Sequence, residues 1–250
     1  MSWRKNISSL YKWVLSLGFR SRMPPTSGSL RRADLLNHLI RNVQGEHYLE
    51  IGVNTRAQPG YSRDHILAKL IHGVDPNPAT EADFVMTSDV FFAEHCQLVC
   101  DVIFIDGLHL FEQTYKDIIN GLRFLSDDGA LVVHDTRPEK YATQKRSQGR
   151  NSKWHGDVWR AIVFLRLTHP RLHVMTVDTD EGCTIIRKEG GAKLENHLAD
   201  SIFRWLYFVR NFRSMLNLVS VDFFLENFGA RKFGAGGHSG GSLGGPRLDV

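Results

Sequence analysis

Four short apolar runs, separated by longer segments with helical spacing, organise the first 135 residues of the chain. The runs end at Gly52, Asp75, Asp106 and Asp135. The last two, "DVIFI" and "GALVV", are continuous and rich in Val and Ile, as strands buried on both faces are. Between the runs, apolar residues recur every three or four positions, which is typical of amphipathic helices. This alternation predicts a parallel sheet wrapped by helices.

Composition changes divide the chain into four regions. Residues 1–30 contain an amphipathic helix and a Pro/Gly/Ser-rich linker, and residues 31–190 form the main α/β domain. Within that domain, residues 172–188 predict two more strands around a turn. Residues 191–230 are an aromatic-rich helical extension, and the Gly-rich residues 231–250 are expected to be disordered. With 42% hydrophobic residues, the chain can build one sizeable core.

Both terminal extensions leave alternatives open. The N-terminal helix could rest on a membrane surface or a partner, or it could pack on the domain. The C-terminal helices could cap the domain or form the face of a homo-oligomer. No stretch approaches the ~20 apolar residues that a membrane span needs.

Charge and cysteine usage narrow the class of protein. The net charge of +4 does not by itself argue for nucleic-acid binding, and no basic stripe with interleaved aromatics occurs in the main domain. The three cysteines form no paired C-x-x-C spacing, which favours buried thiols in a reduced, cytoplasmic setting. The chain is therefore expected to act on something other than nucleic acid.

Candidate chemistry clusters where the predicted strands end, which is where ligands bind in parallel sheets. Glu50-x-Gly52 permits a close approach of backbone to ligand, although Asn54 and Arg56 stand where further glycines of a cradle would fall. Asp75 follows the second strand, where a ribose hydroxyl pair is usually held. Its alternative is a turn-forming role before Pro76.

Asp106 and Asp135 end neighbouring strands, so their carboxylates are expected about 5 Å apart along the hydrogen-bonding direction. Two such carboxylates repel each other unless a cation or a proton intervenes, and oxygen ligands at a half-open site suit Mg²⁺. His109 lies within a turn of Asp106 and could face the same pocket. Alternatively, Asp106 caps a helix and His109 is a buried, hydrogen-bonded histidine.

Several motifs carry a resemblance to a known family, in a fixed order between about residues 46 and 188. They are "YLEIGV", "GVDPNPAT", "TSDVFF", "DVIFIDGLHLFEQTYKDI", "GALVVHDT" and "WHGDVWRAIVFLR". The set resembles class I S-adenosylmethionine-dependent methyltransferases, in the branch whose fourth strand ends in D-G-x-H. The resemblance implies a Rossmann-like, seven-stranded, mostly parallel sheet with helices on both faces and one antiparallel hairpin at the edge. Helical extensions at the N- and C-termini are expected in addition to this fold.

The resemblance also implies a cofactor site for S-adenosylmethionine. By position, the first loop approaches the methionine part, the acidic residue after the second strand holds the ribose, and a polar segment after the third strand lies by the adenine. Arg56 departs from the family pattern, which keeps a small residue there. The implied cofactor-binding residues are Glu50, Gly52, Asn54, Asp75, Ser88 and Asp89.

Within the family, the same region is similar to O-methyltransferases that act on macrolide sugars. That likeness implies Asp106 and Asp135 as ligands of Mg²⁺ or another divalent cation, and His109 as the base beside Asp106. Those enzymes carry a carboxylate where this chain has His134. A His134–Asp135 pair could still bind a metal, preferably one that accepts imidazole; otherwise metal binding is lost and His109 or His134 works alone.

The expected function is O-methylation of a small-molecule or sugar hydroxyl, with a metal assisting and a histidine as general base. Two alternatives stand beside it. One is an enzyme that kept the methyltransferase fold and changed its chemistry. The other is a non-catalytic scaffold whose aromatic C-terminal helices contact a partner.

Overall fold

The computed structural model describes residues 22–54, 63–149, 153–192, 194 and 202–228. The predicted N-terminal helix, Arg56 and the predicted disordered tail lie outside these residues. The boundaries between the four predicted regions stay predictions. No helix in the described ranges combines the length and the apolar character needed to cross a membrane.

The described residues form six helices and seven strands. The helices are α1 (Arg32–Val43), α2 (Ser88–Val90), α3 (Phe111–Phe124), α4 (Val158–Thr168), α5 (Trp205–Met215) and α6 (Val221–Asn227). A single 3₁₀ turn covers Arg63–His65, and α2 continues into a π-helical turn at Phe91–His95. The strands are β1 (His47–Ile51), β2 (Leu70–Val74), β3 (Cys100–Ile105), β4 (Leu125–Val133), β5 (His173–Val177), β6 (Cys183–Arg187) and β7 (Leu218–Val219).

The strands pair into one sheet in the order β2-β1-β3-β4-β6-β5-β7. Strand β6 runs antiparallel to both β4 and β5, and the other described pairs are parallel. This architecture confirms the predicted Rossmann-like fold, including the β5–β6 hairpin.

Two strands differ from the expectation. The third strand implied by the family resemblance is reduced to one parallel bridge between Val74 and Phe84. The seventh strand instead comes from the region predicted as a helical extension. Asn217 takes a left-handed conformation (φ 48°), and β7 then pairs with the open edge of β5, where Asp178 N–H donates to the Val219 carbonyl at 2.9 Å. The C-terminal extension is therefore not wholly helical, because an unpaired strand edge offers its backbone groups a partner.

Alternate residues of the central strands face two separate hydrophobic layers, as the two-residue period of a strand requires. One layer packs against α3, α4 and α5, and the other packs against α1 and α6. The first layer takes Leu49, Ile51, Ile103, Ile105, Leu131 and Val133, and the second takes Tyr48, Val102, Phe104, Ala130 and Val132.

Strand register brings the predicted site residues to one edge of the sheet. Ile105 pairs with Ile51 on one side and with Val133 on the other, so the residues that follow these strands are neighbours. At this edge Gly52 has φ +90°, and a Cβ there would collide with the carbonyl of Asp106. Glycine is needed because the β1 loop packs directly on the backbone of the Asp106 turn.

We expect Gly52→Ala to lower the free energy of unfolding by roughly 2 kcal/mol or more, because it adds left-handed strain to a backbone collision. Urea denaturation measures this difference. Gly107→Ala is the matched control: a Cβ on Gly107 would approach Ile51 no closer than 3.6 Å, an ordinary contact. Equal losses in the two variants would contradict the close-packing explanation.

Candidate active site

The carboxylate of Asp106 lies at the centre of the site and contacts three basic side chains. Its Oδ2 accepts a hydrogen bond from Nη1 of Arg32 at 2.9 Å. Its Oδ1 lies 3.2 Å from Nε2 of His109 and 3.2 Å from Nδ1 of His134. Burial raises the pKa of Asp106, but the charges and hydrogen bonds of the two histidines outweigh it and hold that pKa well below its usual range.

The backbone fixes this carboxylate at the end of β3. Asp106 N–H donates to the Ile51 carbonyl at 2.8 Å, and His134 N–H donates to the Ile105 carbonyl at 3.0 Å, so the ladder continues to the site. Asp106 does not cap the following helix, since α3 begins at Phe111 and the Phe111 N–H donates to the carboxylate of Asp157. The helix-cap alternative for Asp106 is therefore wrong.

His109 is held from both ends of its ring. Nδ1 lies 2.9 Å from the carbonyl oxygen of Trp154, whose ring stands 5.2 Å from the imidazole, and Nε2 faces Asp106. Since a carbonyl and an ionised carboxylate only accept, both ring nitrogens carry protons in this arrangement. Burial lowers the pKa of His109, but the hydrogen bond to Asp106 and the charge of Asp135 outweigh it and raise that pKa above 6.5.

The segment around Trp154 is pressed tightly against His109. Gly156 has φ +56°, and a Cβ there would collide with the carbonyl of His109. Asp157 N–H also donates to that carbonyl at 3.3 Å. The side chain of His109 keeps 17% exposure, so the ring can be reached from solvent.

His134 is almost completely buried and lies between three carboxylates. Nδ1 lies 3.2 Å from Asp106 and 3.4 Å from Asp135, and Nε2 lies 3.5 Å from Asp180. Burial lowers the pKa of His134, but the charges of Asp106 and Asp135 raise it well above 6.5. The structure therefore brings His134 together with Asp106 and Asp135, and its role in the site stays a prediction.

Sequence reasoning missed four contributors: Arg32, His155, Asp180 and Glu181. Arg32 begins α1 and binds Asp180 as well as Asp106, both at 2.9 Å. His155 Nε2 lies 3.0 Å from Glu181. Asp180 and Glu181 lie in the β5–β6 turn, "DTDEG", where acidic residues are ordinary, so the sequence offered no distinguishing signal.

Three acidic residues at this edge adopt left-handed backbone conformations that L-residues rarely take. The φ angles are 58° at Asp135, 41° at Asp180 and 61° at Glu181. Such conformations cost energy and concentrate at functional sites. They are an independent reason to regard this edge as the candidate active site.

The predicted cofactor residues separate into two groups. Glu50, Gly52, Asn54 and Asp75 gather at the ends of β1 and β2, where Ile51 pairs with Val74. Oδ2 of Asp75 accepts from Asn54 N–H at 3.1 Å and Oδ1 accepts from Asn77 N–H at 2.8 Å. The turn-forming role of Asp75 is thus present, and each carboxylate oxygen can accept a further hydrogen bond.

Ser88 and Asp89 form the second group and are tied to α3. The amide nitrogen of Gln113 donates to Ser88 Oγ at 3.2 Å and to Asp89 Oδ1 at 3.0 Å. The same amide contacts Asp117, whose pKa burial raises to about 6. Lys116 pairs with Asp89 at 2.6 Å. The two predicted adenine-side residues are therefore anchored to α3 by polar contacts.

Comparison with known proteins agrees with this geometry. Residues 63–136 match a family described as a methyltransferase domain. Over this range, less than a third of the 250 residues, the chain resembles a methyltransferase domain. The family and the S-adenosylmethionine-dependent enzyme class predicted from sequence are thereby supported, while the D-G-x-H branch stays a prediction. No curated protein matches the chain at a significant level.

Solved structures that match this chain are distant. A SAH-bound methyltransferase from Podospora anserina has 15% identity and a TM-score of 0.47, over 64% of this chain and 78% of its own. An O-methyltransferase from Bacillus cereus in complex with SAH has 14% identity and a TM-score of 0.41, over 71% and 90%. MycE methyltransferase of the mycinamycin biosynthetic pathway, in complex with Mg, SAH and mycinamycin VI, has 12% identity and a TM-score of 0.38, over 62% and 47%. At these scores the neighbours carry no argument about this site.

The ion-pair network gives the protein a testable pH dependence of stability. Burial raises the pKa of Asp180, but His134 and Arg32 outweigh it and lower that pKa from 3.8 to about 2. Because the folded-state value lies below the unfolded one, this carboxylate stabilises the fold above pH 3.8 and loses that contribution as pH falls towards 2.

We expect Asp180→Asn to lower the free energy of unfolding by roughly 2 kcal/mol at pH 6, with the loss shrinking between pH 4 and pH 2. Urea denaturation across this pH range measures the difference. Asp127→Asn is the control, since the Asp127 side chain is fully exposed. A deficit in Asp180→Asn that is constant with pH would contradict the assignment.

Proposed function

We propose that the protein transfers a methyl group from S-adenosylmethionine to a hydroxyl of a small molecule or sugar, with His109 as general base. The observation that carries this proposal is the placement of His109. A backbone carbonyl and Asp106 hold its ring at the carboxyl edge of a methyltransferase sheet. The same edge carries Asp75 and Glu50, the proposed cofactor residues.

The cofactor would lie across the ends of β1 and β2. Asp75 supports this because its carboxylate is already held in place by two backbone N–H groups and can accept from two ribose hydroxyls. Glu50 is buried and accepts from the Tyr48 hydroxyl at 3.3 Å, which fixes its orientation. Gly52 and Asn54 shape the loop beside it, and Ser88 and Asp89 are proposed to border the adenine.

The transfer needs a proton acceptor because a neutral hydroxyl attacks weakly. When bound, S-adenosylmethionine supplies an electrophilic methyl group, which the acceptor oxygen takes as the carbon–sulfur bond breaks and its electron pair stays on sulfur. His109 acts as base in its neutral form, after Nε2 has lost the proton that faces Asp106. The Trp154 carbonyl keeps the other proton on Nδ1, so Nε2 is the nitrogen that receives the hydroxyl proton. Asp106, facing Nε2, stabilises the imidazolium that results.

The predicted divalent metal fits this site poorly. Ligand atoms of Asp106, His134 and Asp135 lie within 4.8 Å of one another, which is close enough for one ion. However, the guanidinium of Arg32 already binds Asp106, and Nδ1 of His134 is directed at the carboxylates with which it would share the ion. We therefore derive no step through a metal, and metal binding stays a prediction.

Other features of the sequence reading also stay proposals. They are a cytoplasmic location, contact of the N-terminal helix with a membrane surface, and a homo-oligomer formed through the C-terminal helices. The aromatic segment Trp205–Met215 turns much of its apolar face into the core, which favours its role as a cap of the domain.

We expect S-adenosylmethionine to bind in the micromolar range by calorimetric titration, and Asp75→Ala to weaken binding by about tenfold or more, because a charge-assisted ribose contact is lost. Asp127→Ala, remote and fully exposed, is the control. Absence of binding to the wild-type protein would overturn the proposed function in favour of a scaffold. Unchanged binding in Asp75→Ala would place the ribose elsewhere.

Acceptor screening follows from a positive titration. Formation of S-adenosylhomocysteine is measured with sugars and other small molecules that have free hydroxyls as the methyl acceptors. Product analysis by mass spectrometry then separates O-methylation from a changed chemistry on the same fold.

We expect kcat/KM to rise with pH through a pKa above 6.5, because the raised pKa of His109 keeps the base protonated at lower pH. His109→Gln should lower kcat/KM by roughly 10²- to 10⁴-fold and remove this rise. His47→Gln, at the opposite end of β1, is the control. A pH rise that persists in His109→Gln would assign the base to another residue.

A further inference from the structure

Arg32 binds Asp106, one of the three side chains at which the family resemblance predicts a metal ion. Its guanidinium binds Asp106 through Nη1 and Asp180 through Nε, each at 2.9 Å, and its side chain is only 16% exposed. It thereby joins the start of α1 to the end of β3 and to the β5–β6 turn. Asp106 is itself a predicted metal ligand, and Asp180 lies 3.5 Å from Nε2 of His134, another predicted ligand.

We propose that Arg32 is the resident cation of this site, so that the protein binds no divalent ion at Asp106, Asp135 and His134 while Arg32 is in place. A role for Arg32 in catalysis rests on the proposed function, because Arg32 would then supply the positive charge that a metal ion supplies.

Both the geometry of the site and its charge favour binding of the Arg32 guanidinium to Asp106 over binding of a divalent metal ion. Arginine stays charged under all ordinary conditions and presents several donors in a planar fork that suits carboxylates. Mg²⁺ needs near-octahedral oxygen ligands and keeps several waters. A metal ion bound to Asp106 would lie next to the guanidinium that binds the same carboxylate. Two positive charges so close together repel each other strongly in a partly buried site, where water screens them less.

Arg32 is a positioning residue, because it acts through Asp106. With Oδ2 of Asp106 bound to the guanidinium, Oδ1 is left directed at His109 and His134. Arg32 thus helps to hold the Asp106 carboxylate in the orientation in which it faces the base.

The test is a titration of the full chain with Mn²⁺. Electron paramagnetic resonance monitors the titration by measuring the concentration of unbound aqueous Mn²⁺. We expect no stoichiometric binding at up to about millimolar Mn²⁺ in the wild-type protein. Arg32→Ala should gain one Mn²⁺ site, and adding Asp106→Asn to that variant should weaken it by about tenfold or more. Arg32→Lys, which keeps a positive charge, should still exclude the ion.

Arg31→Ala is the matched control. Arg31 is the neighbouring residue and pairs with Asp34, but it is 67% exposed and lies outside the site. It should behave like the wild-type protein. Circular dichroism confirms that each variant is folded.

Two results would overturn the proposal. One is a wild-type Mn²⁺ site that Asp106→Asn removes, and this result needs no Arg32 variant to be interpreted. The other is a folded Arg32→Ala protein that binds no Mn²⁺. Neither measurement uses S-adenosylmethionine, so failure of the proposed function, seen as absent cofactor binding, is distinguishable from failure of this inference.

Discussion

The buried carboxylate of Asp106 is the constraint on which the rest of the site depends. It sits at the end of a central strand, where burial alone would favour its neutral form. Three basic side chains keep it ionised, and they come from distant parts of the chain: Arg32, His109 and His134. Each of those groups also contacts a second carboxylate, either Asp135 or Asp180. The charges of this network therefore depend on one another.

This mutual dependence explains why the carboxyl edge of the sheet is so closely built. Arg32 requires α1 to dock, His109 requires the Trp154 segment to lie against it, and Asp180 requires a left-handed turn between β5 and β6. Gly52 and Gly156 mark the places where backbones meet too closely for a side chain. The backbone strain at the edge is offset by the ion pairs that it brings together.

The pattern of apolar and polar residues was sufficient to predict most of the helices and strands and part of the candidate site. Apolar runs located β1 to β4, and the rule that parallel strands end at the same edge brought Asp106, His109, His134 and Asp135 together correctly. Arg32 could not be found this way, because its contact with Asp106 spans 74 residues and depends on how α1 docks. Strand β7 was missed for a similar reason: its pairing is decided by the open edge of β5, whereas its sequence resembles the helices around it.

A site neutralised by an arginine and a site neutralised by a metal ion require different parts of the chain to be folded. A metal site of Asp106, His134 and Asp135 would need only β3 and β4, which are adjacent in the sheet. With Arg32, the charge balance of the site exists only when α1 is packed on its face of the sheet, through Leu35, Leu36 and Leu39. Formation of the site is then coupled to folding of the whole domain and not to the supply of an ion. The orientation of His109 depends in part on the same packing, because Arg32 binds the Asp106 carboxylate that the imidazole faces.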